Sequence, residues 1–263
     1  MKLLTKSRFK LGLECPNKLF YTNKAEYANK KSDDSFLESL AQGGFQVEAL
    51  ARLEFPEGIL VDGNYGDYDA LIKETNKLLA LENVVIFEAA FKFKNLFVRT
   101  DILVKKGNKI QLIEVKAKSY NSRDDDIFLT KSGKISGAWK PYLFDVAFQN
   151  YVIKNAFPEW KIVPYLMMAD KSKTAKVDGL NQMFRISNKA NKRSKIETQV
   201  KSIVEIEETV LGRINLYKII QDIFSGLHQH NRDFTFEEGI KLFAHKYQKD
   251  QFFNELVLYT ACK

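Results

Sequence analysis

Apolar residues recur along the chain at two spacings, and the switches between them mark out its elements. From Ser35 to Leu53, Phe36, Leu37, Leu40, Phe45, Val47 and Leu50 fall at helical spacing, with Gly43-Gly44 as the point where that helix would break in two. Asp67 is placed to cap a helix running to about Leu81. Three β-type segments follow: VVIFEAAF from Val84, LFVRTDILV from Leu96 and KIQLIEVKA from Lys109. A helix over residues 142–156 and a strand KIVPYLMM from Lys161 come next. Helix, three strands, helix and strand is an α/β order. Further on, Val200, Ile203, Val210, Ile214, Tyr217, Ile220, Phe224 and Leu227 predict a helix over 198–227, used for packing or for a partner. A second helix is expected over 235–247. With no internal repeat and no Gly/Ser/Pro linker, the pattern reads as one domain: a core over 1–200 and a helical extension, 201–263, packed on it.

The stretch DILVKKGNKIQLIEVKAKS, residues 101–119, departs from a plain apolar pattern. Gly107-Asn108 forms a two-residue hairpin turn, since both residues tolerate positive φ. That turn fixes the register, pairing Val104 with Gln111, Leu103 with Leu112, and Asp101 with Glu114. Two carboxylates directly opposed repel each other, so a cation is expected between them. Lys116 lies on the same face as Glu114, and the same register sets it against Arg99. Two explanations fit: a structural salt-bridge patch of Arg99, Asp101, Glu114 and Lys116, or carboxylates that ligate a divalent cation beside a catalytic lysine. Mg²⁺ and similar hard ions take oxygen ligands, often only one or two carboxylates close to a phosphate.

Composition narrows the setting. At 263 residues and 45% apolar content the chain can bury roughly 70% of its unfolded surface. Cys15 and Cys262 are too few for a disulfide scaffold, no secretion signal opens the sequence, and no run reaches about 18 apolar residues. A soluble, cytoplasmic protein is expected, not a membrane protein. The net charge of +8 favours a polyanionic partner. Between Arg185 and Lys201, six basic residues (Arg185, Lys189, Lys192, Arg193, Lys195 and Lys201) stand against the single acid Glu197. This stretch is either a phosphate-contacting loop or helix start, or a solvated surface. His228 and His230, two apart, would point to different sides of a helix and do not make a zinc pair; His245 reads as a surface helix residue. Asp124, Asp125 and Asp126 read as a solvated loop or helix cap.

TDILV followed across the hairpin by IEVKAKS resembles the core motif of the PD-(D/E)XK nucleases, with Thr100 where that motif often has proline. LTKSRFKLGLECPNKLFY from Leu4, GGFQVEALA from Gly43 and DVAFQNYVI from Asp145 resemble, in order, the Cys-Pro segment, the first helix and the glutamine-bearing helix of RecB-like nucleases, including CRISPR-associated adaptation nucleases and an uncharacterised bacterial RecB-like family. The likeness covers most of the first 170 residues. It implies a restriction-endonuclease-like core, a central mixed β-sheet flanked by helices with a helical C-terminal part. It also implies a metal-dependent nuclease hydrolysing DNA, single-stranded or with free ends, using Mg²⁺ or Mn²⁺. By this resemblance Asp101 and Glu114 are metal ligands, the Val115 carbonyl is a further oxygen, and Lys116 positions the attacking water. Gln149 is the motif glutamine, with Asp145 on its face; Tyr151 either completes the cluster or packs in the core. Glu48 and Glu88 compete as the third acid. Relatives with an iron–sulfur cluster use four cysteines; two cannot complete one, Cys15 reads as a small buried hydrophobe, and the remaining cysteines would lie in a missing C-terminal region, with a protein partner as the alternative expectation. The alternative function is a nucleic-acid-binding module that keeps the fold without cleavage.

Overall fold

Two of the expected strands break at their centres, and that break organises the molecule. The computed structural model describes residues 2–24, 26–27, 35–64, 66–187, 195–228 and 234–253. In chain order its elements are strand β1 (Leu4–Thr5), helices α1 (Lys6–Glu14), α2 (Asn17–Tyr21) and α3 (Ser35–Arg52), strand β2 (Ile59–Leu60) and helix α4 (Tyr68–Leu79). Strands β3 (Asn83–Phe87), β4 (Ala90–Phe93), β5 (Leu96–Arg99), β6 (Ile102–Lys106) and β7 (Lys109–Tyr120) follow, then helix α5 (Lys140–Ala156) and strand β8 (Lys161–Asp170). Strands β9 (Phe184–Ser187), β10 (Lys195–Thr198) and β11 (Leu211–Asn215) and helices α6 (Tyr217–Phe224) and α7 (Phe236–Gln248) complete the order.

A mixed sheet in the order β11-β8-β7-β6-β3-β2 forms the centre; β7 runs parallel to β8, β2 runs parallel to β3, and the other neighbours are antiparallel. Both faces are covered, as an α/β fold requires. Along β7, Ile110 and Leu112 join the apolar cluster under α5, while Ile113 and Val115 join the one that includes Leu50 and Ala51 of α3. Glu114 and Lys116 therefore fall on the α5 side, in a row otherwise apolar. Helix α5 is buried continuously from Leu143 to Ile153 and lies against β8 of the large sheet and β4 and β5 of a smaller one, ordered β1-β5-β4.

The segments from Val84 and Leu96 form one antiparallel ribbon, since Phe87↔Ile102 and Ala90↔Arg99 share a register. It bends between those pairs. At the bend the Glu88 N–H donates to the Asp101 carbonyl at 3.2 Å and the Thr100 N–H to the Ala89 carbonyl at 2.9 Å. Proline at 100 would lack that donor. Glu88 takes φ +58°, a left-handed conformation that costs a non-glycine residue about 1–2 kcal/mol. Helix α4 helps to hold it, because Thr75 Oγ1 accepts the Ala90 N–H at 2.9 Å. Half the ribbon thus serves the central sheet and half the small one. This overturns the expected pairing of Arg99 with Lys116: Arg99 lies beyond the bend and pairs with Ala90.

The hairpin register matches the expected one from Ile102↔Ile113 to Lys106↔Lys109. Of its two turn residues Gly107 alone has positive φ, +57°, the pattern of a type II′ turn. Asp67 caps α4, accepting the Ala70 N–H at 3.0 Å. Helix α3 runs unbroken through Gly43-Gly44. The expected helix over 198–227 is corrected: its middle is β11, an edge strand on β8, and only 217–224 is α-helical. Helical spacing there does not produce a helix, because residues 211–215 pair as a strand with β8. The basic stretch also differs from a loop or helix start, since Arg185 and Lys195 belong to the β9–β10 ribbon; Lys189, Lys192 and Arg193 lie outside the described residues, as do His230 and Cys262. Asp124 to Asp126 are exposed in a loop, His245 is exposed on α7, and Tyr151 and Cys15 are buried. Among the described residues no helix is long and apolar enough to cross a membrane.

Gly212 of β11 is bare because the Tyr120 hydroxyl stands where its Cβ would be. Gly212→Ala is expected to destabilise the protein by about 1–3 kcal/mol, and adding Tyr120→Phe should recover part of that loss, because the two changes couple through one contact. Thermal unfolding followed by circular dichroism measures both; an unchanged midpoint in Gly212→Ala would contradict the packing of β11 against Tyr120.

Candidate active site

Glu114 is completely buried, and burying an unpaired carboxylate would cost several kcal/mol. Two of its three partners come from distant parts of the chain. Lys6, the first residue of α1, brings Nζ to 3.0 Å from Oε1 and 3.2 Å from Oε2. Gln149 of α5 donates to Oε2 at 2.7 Å. Lys116, two residues on in β7, closes a short ion pair with Oε1. Between Val115 and Ser119, four steps of β7 match only two of β8, from Met167 to Ala169. Such an irregularity re-aims side chains, and it falls at Lys116.

Asp101 sits at the bend, immediately before β6. Its Oδ2 accepts the Val115 N–H at 2.7 Å, which ties the start of β6 to β7 and leaves Oδ1 facing Lys6 Nζ at 3.9 Å. Asp101 is thus anchored through Oδ2 and Glu114 through Oε2, and both carboxylates face the Lys6 ammonium. The cation expected between them is Lys6. Helix α1 adds a second lysine one turn later, Lys10, at 3.6 Å from Asp145 Oδ2; Lys116 reaches the same oxygen at 3.6 Å. Asp145 is buried, and Gln149 also donates to its Oδ1 at 3.4 Å. Gln149 Oε1 is buried with no hydrogen-bond partner among the described residues.

A second charged group flanks the bend. Glu88 lies 3.1 Å from Arg99 Nε and 3.6 Å from Arg52, and Arg52 closes a short pair with Glu48 one turn earlier in α3. Of the two rival third acids, Glu48 pairs with Arg52 and Glu88 with both Arg52 and Arg99, and both flank the site.

The electrostatics follow. Burial first, and then the Glu114 charge, push the Asp101 carboxyl up to about 7, against the pull of Lys6 and Lys116. For Glu114 burial acts the same way, but Lys116, Lys6 and the hydrogen bond from Gln149 outweigh it and hold the carboxyl well below its ordinary range. Burial would lower both lysines; Glu114 and Asp145 prevail and hold Lys6 and Lys116 above the ordinary lysine value. Both therefore remain ammonium ions at neutral pH. Glu88 is pushed up to about 7 by burial, with Glu48 adding to the push and Arg99 and Arg52 opposing it.

Asp101, Glu114, Val115, Lys116 and Gln149, all singled out from the sequence, come together, with Glu48 and Glu88 at one side. Arg185 is exposed on β9 and forms no part of this cluster. Lys6, Lys10 and Arg52 escaped the sequence reading. For the two lysines a signal existed: Thr5 caps α1, and i, i+4 spacing puts 6 and 10 on one face. As to metal fit, the two carboxylates are hard donors already converging on one cation, which suits Mg²⁺ or Mn²⁺. Among the described residues no three His, Cys, Asp or Glu side chains gather as a ready-made metal group, because lysines stand between the acids. Compared with known proteins, the chain matches no family model and no curated protein.

The raised Glu88 value sets a pH dependence. Its carboxyl is ionised above about 7 in the folded chain and above about 4.5 when unfolded, so the folded state binds the extra proton between those values and gains stability as pH falls. The thermal midpoint of the wild type, relative to Glu88→Gln, should rise as pH is lowered from 8 to 5.5. Parallel midpoints across that range would refute the assignment.

Proposed function

We propose that the protein is a metal-dependent nuclease with a restriction-endonuclease-like core that hydrolyses phosphodiester bonds of DNA. The observation that carries this reading is the approach of Asp101 Oδ1, at 3.9 Å, and of both Glu114 oxygens, at 3.0 and 3.2 Å, to the single Lys6 ammonium, with the Lys116 ammonium on the same glutamate. A Mg²⁺ or Mn²⁺ held there supplies a polarised phosphoryl oxygen and a bound water of lowered pKa. Asp101 and Glu114 hold the ion, with Glu48 as the third acid. The Val115 N–H fixes Asp101 Oδ2 and the Gln149 amide fixes Glu114 Oε2, so both carboxylates are preorganised. Lys116, kept charged, acts as a positive charge beside the scissile phosphate and not as a proton acceptor; it offsets the charge that develops as the water oxygen bonds to phosphorus and the ester P–O bond breaks. Arg185, and the basic residues that follow it, hold the DNA backbone without reading sequence. The localisation that fits is cytoplasmic.

A second reading, a DNA-binding module that keeps the fold without cleavage, is favoured by one observation: the Lys6 ammonium already lies against both carboxylates. Incubation of the protein with single- and double-stranded DNA and Mg²⁺ or Mn²⁺ separates the two. Metal-dependent products are expected, with Glu114→Gln and Lys116→Met slower by about 10²- to 10³-fold and both variants folded by circular dichroism. DNA retained without products, with or without metal, would sink the nuclease and leave the binder.

A further inference from the structure

Lys6 stands where the ion of the proposed nuclease would stand, and this inference rests on that reading. Its Nζ is within ion-pair distance of both Asp101 and Glu114. Lys116 pairs with Glu114 and Asp145 but forms no ion pair with Asp101 among the described contacts. Lys6 therefore occupies the shared point, and Lys116 flanks it. The cluster is also balanced without metal: Asp101, Glu114 and Asp145 face Lys6, Lys10 and Lys116. A divalent ion entering between Asp101 and Glu114 would meet an ammonium at contact distance in a poorly hydrated setting, where like charges repel strongly.

The placement of Lys6 is built in. Thr5 pairs in register with Phe97 of β5, and the Leu4 N–H donates to the Asn95 carbonyl at 2.8 Å. The backbone of Lys6 is thereby fixed to the same ribbon that carries Asp101 past its bend. Its side chain is different. It remains 22% exposed, and four methylenes let the ammonium swing toward water while the helix stays in place.

We propose that Lys6 is a tethered counter-ion: it stabilises the metal-free site by occupying the cation position, and it must withdraw for a divalent ion to bind, so it sets the metal concentration at which the site loads. The device keeps Glu114 compensated when metal is scarce, at the cost of weaker metal binding.

Calorimetric titration with Mn²⁺ tests this on the wild type and on Lys6→Met, which keeps most of the side-chain volume without the charge. Lys6→Met should bind Mn²⁺ about 10-fold tighter or more, and its metal-free thermal midpoint should fall below wild type and recover with saturating Mn²⁺. Equal or weaker binding by Lys6→Met, with the wild type binding normally, would overturn the counter-ion role and leave the metal site intact. Absence of binding in both proteins would overturn the metal reading and this inference with it. Should Lys6→Met fail to fold, the wild type supplies the test: amine acetylation read by mass spectrometry, with exposed Lys77 as reference, should show Lys6 labelled several-fold faster in saturating Mn²⁺. Unchanged labelling would overturn the proposal.

Discussion

A carboxylate with no access to solvent, Glu114, sits in a row of apolar residues on the inner face of the central sheet, and the architecture around it answers that single cost. The charge is tolerable only because two ammonium groups and an amide reach it. Those groups come from positions 6, 116 and 149, so β7, the start of α1 and the middle of α5 have to meet there. Helix α5 is buried along its length, which holds Gln149 in place, and β1 seats α1 against the small sheet. Loss of any one element would leave a buried charge short of partners.

The second constraint is the bend in the ribbon formed by residues 83–106. A straight ribbon would have kept Asp101 inside a regular ladder and carried Arg99 across from Lys116. Bending at Glu88 and Thr100 sends the ribbon's outer half into another sheet, frees Asp101 from strand pairing, and lets its carboxylate take the Val115 N–H. It also gathers the arginines on the far side, where Arg99 and Arg52 compensate Glu88. Two charge clusters result. One, rich in lysine, surrounds the candidate ion position; the other, rich in arginine, braces the bend. Glu48 belongs to the second, through its pair with Arg52.

Much of this was legible in local sequence. Gly107-Asn108 with flanking apolar alternation specified the hairpin and its register, and opposed acids required a positive partner. Asp67 and the helical segments 142–156 and 235–247 likewise mark elements the structure contains. What misled was periodicity over a long window: residues 198–227 show helical spacing, yet Leu211 to Asn215 complete a sheet edge, because an open edge at β8 rewards pairing more than an isolated amphipathic pattern does. Continuous β-type runs such as VVIFEAAF and LFVRTDILV hid the bend, since no proline or glycine marks it.

Local pattern alone therefore determined the α/β order, the 107–108 turn, and the hairpin register from Ile102↔Ile113 to Lys106↔Lys109, because steric preferences of a few neighbouring residues decide such features. Tertiary structure alone decided that the intervening cation is Lys6 and that Arg99 serves Glu88. Those outcomes depend on distances between segments tens of residues apart, and charge interactions over such gaps are fixed only when packing has set where each helix and strand lies.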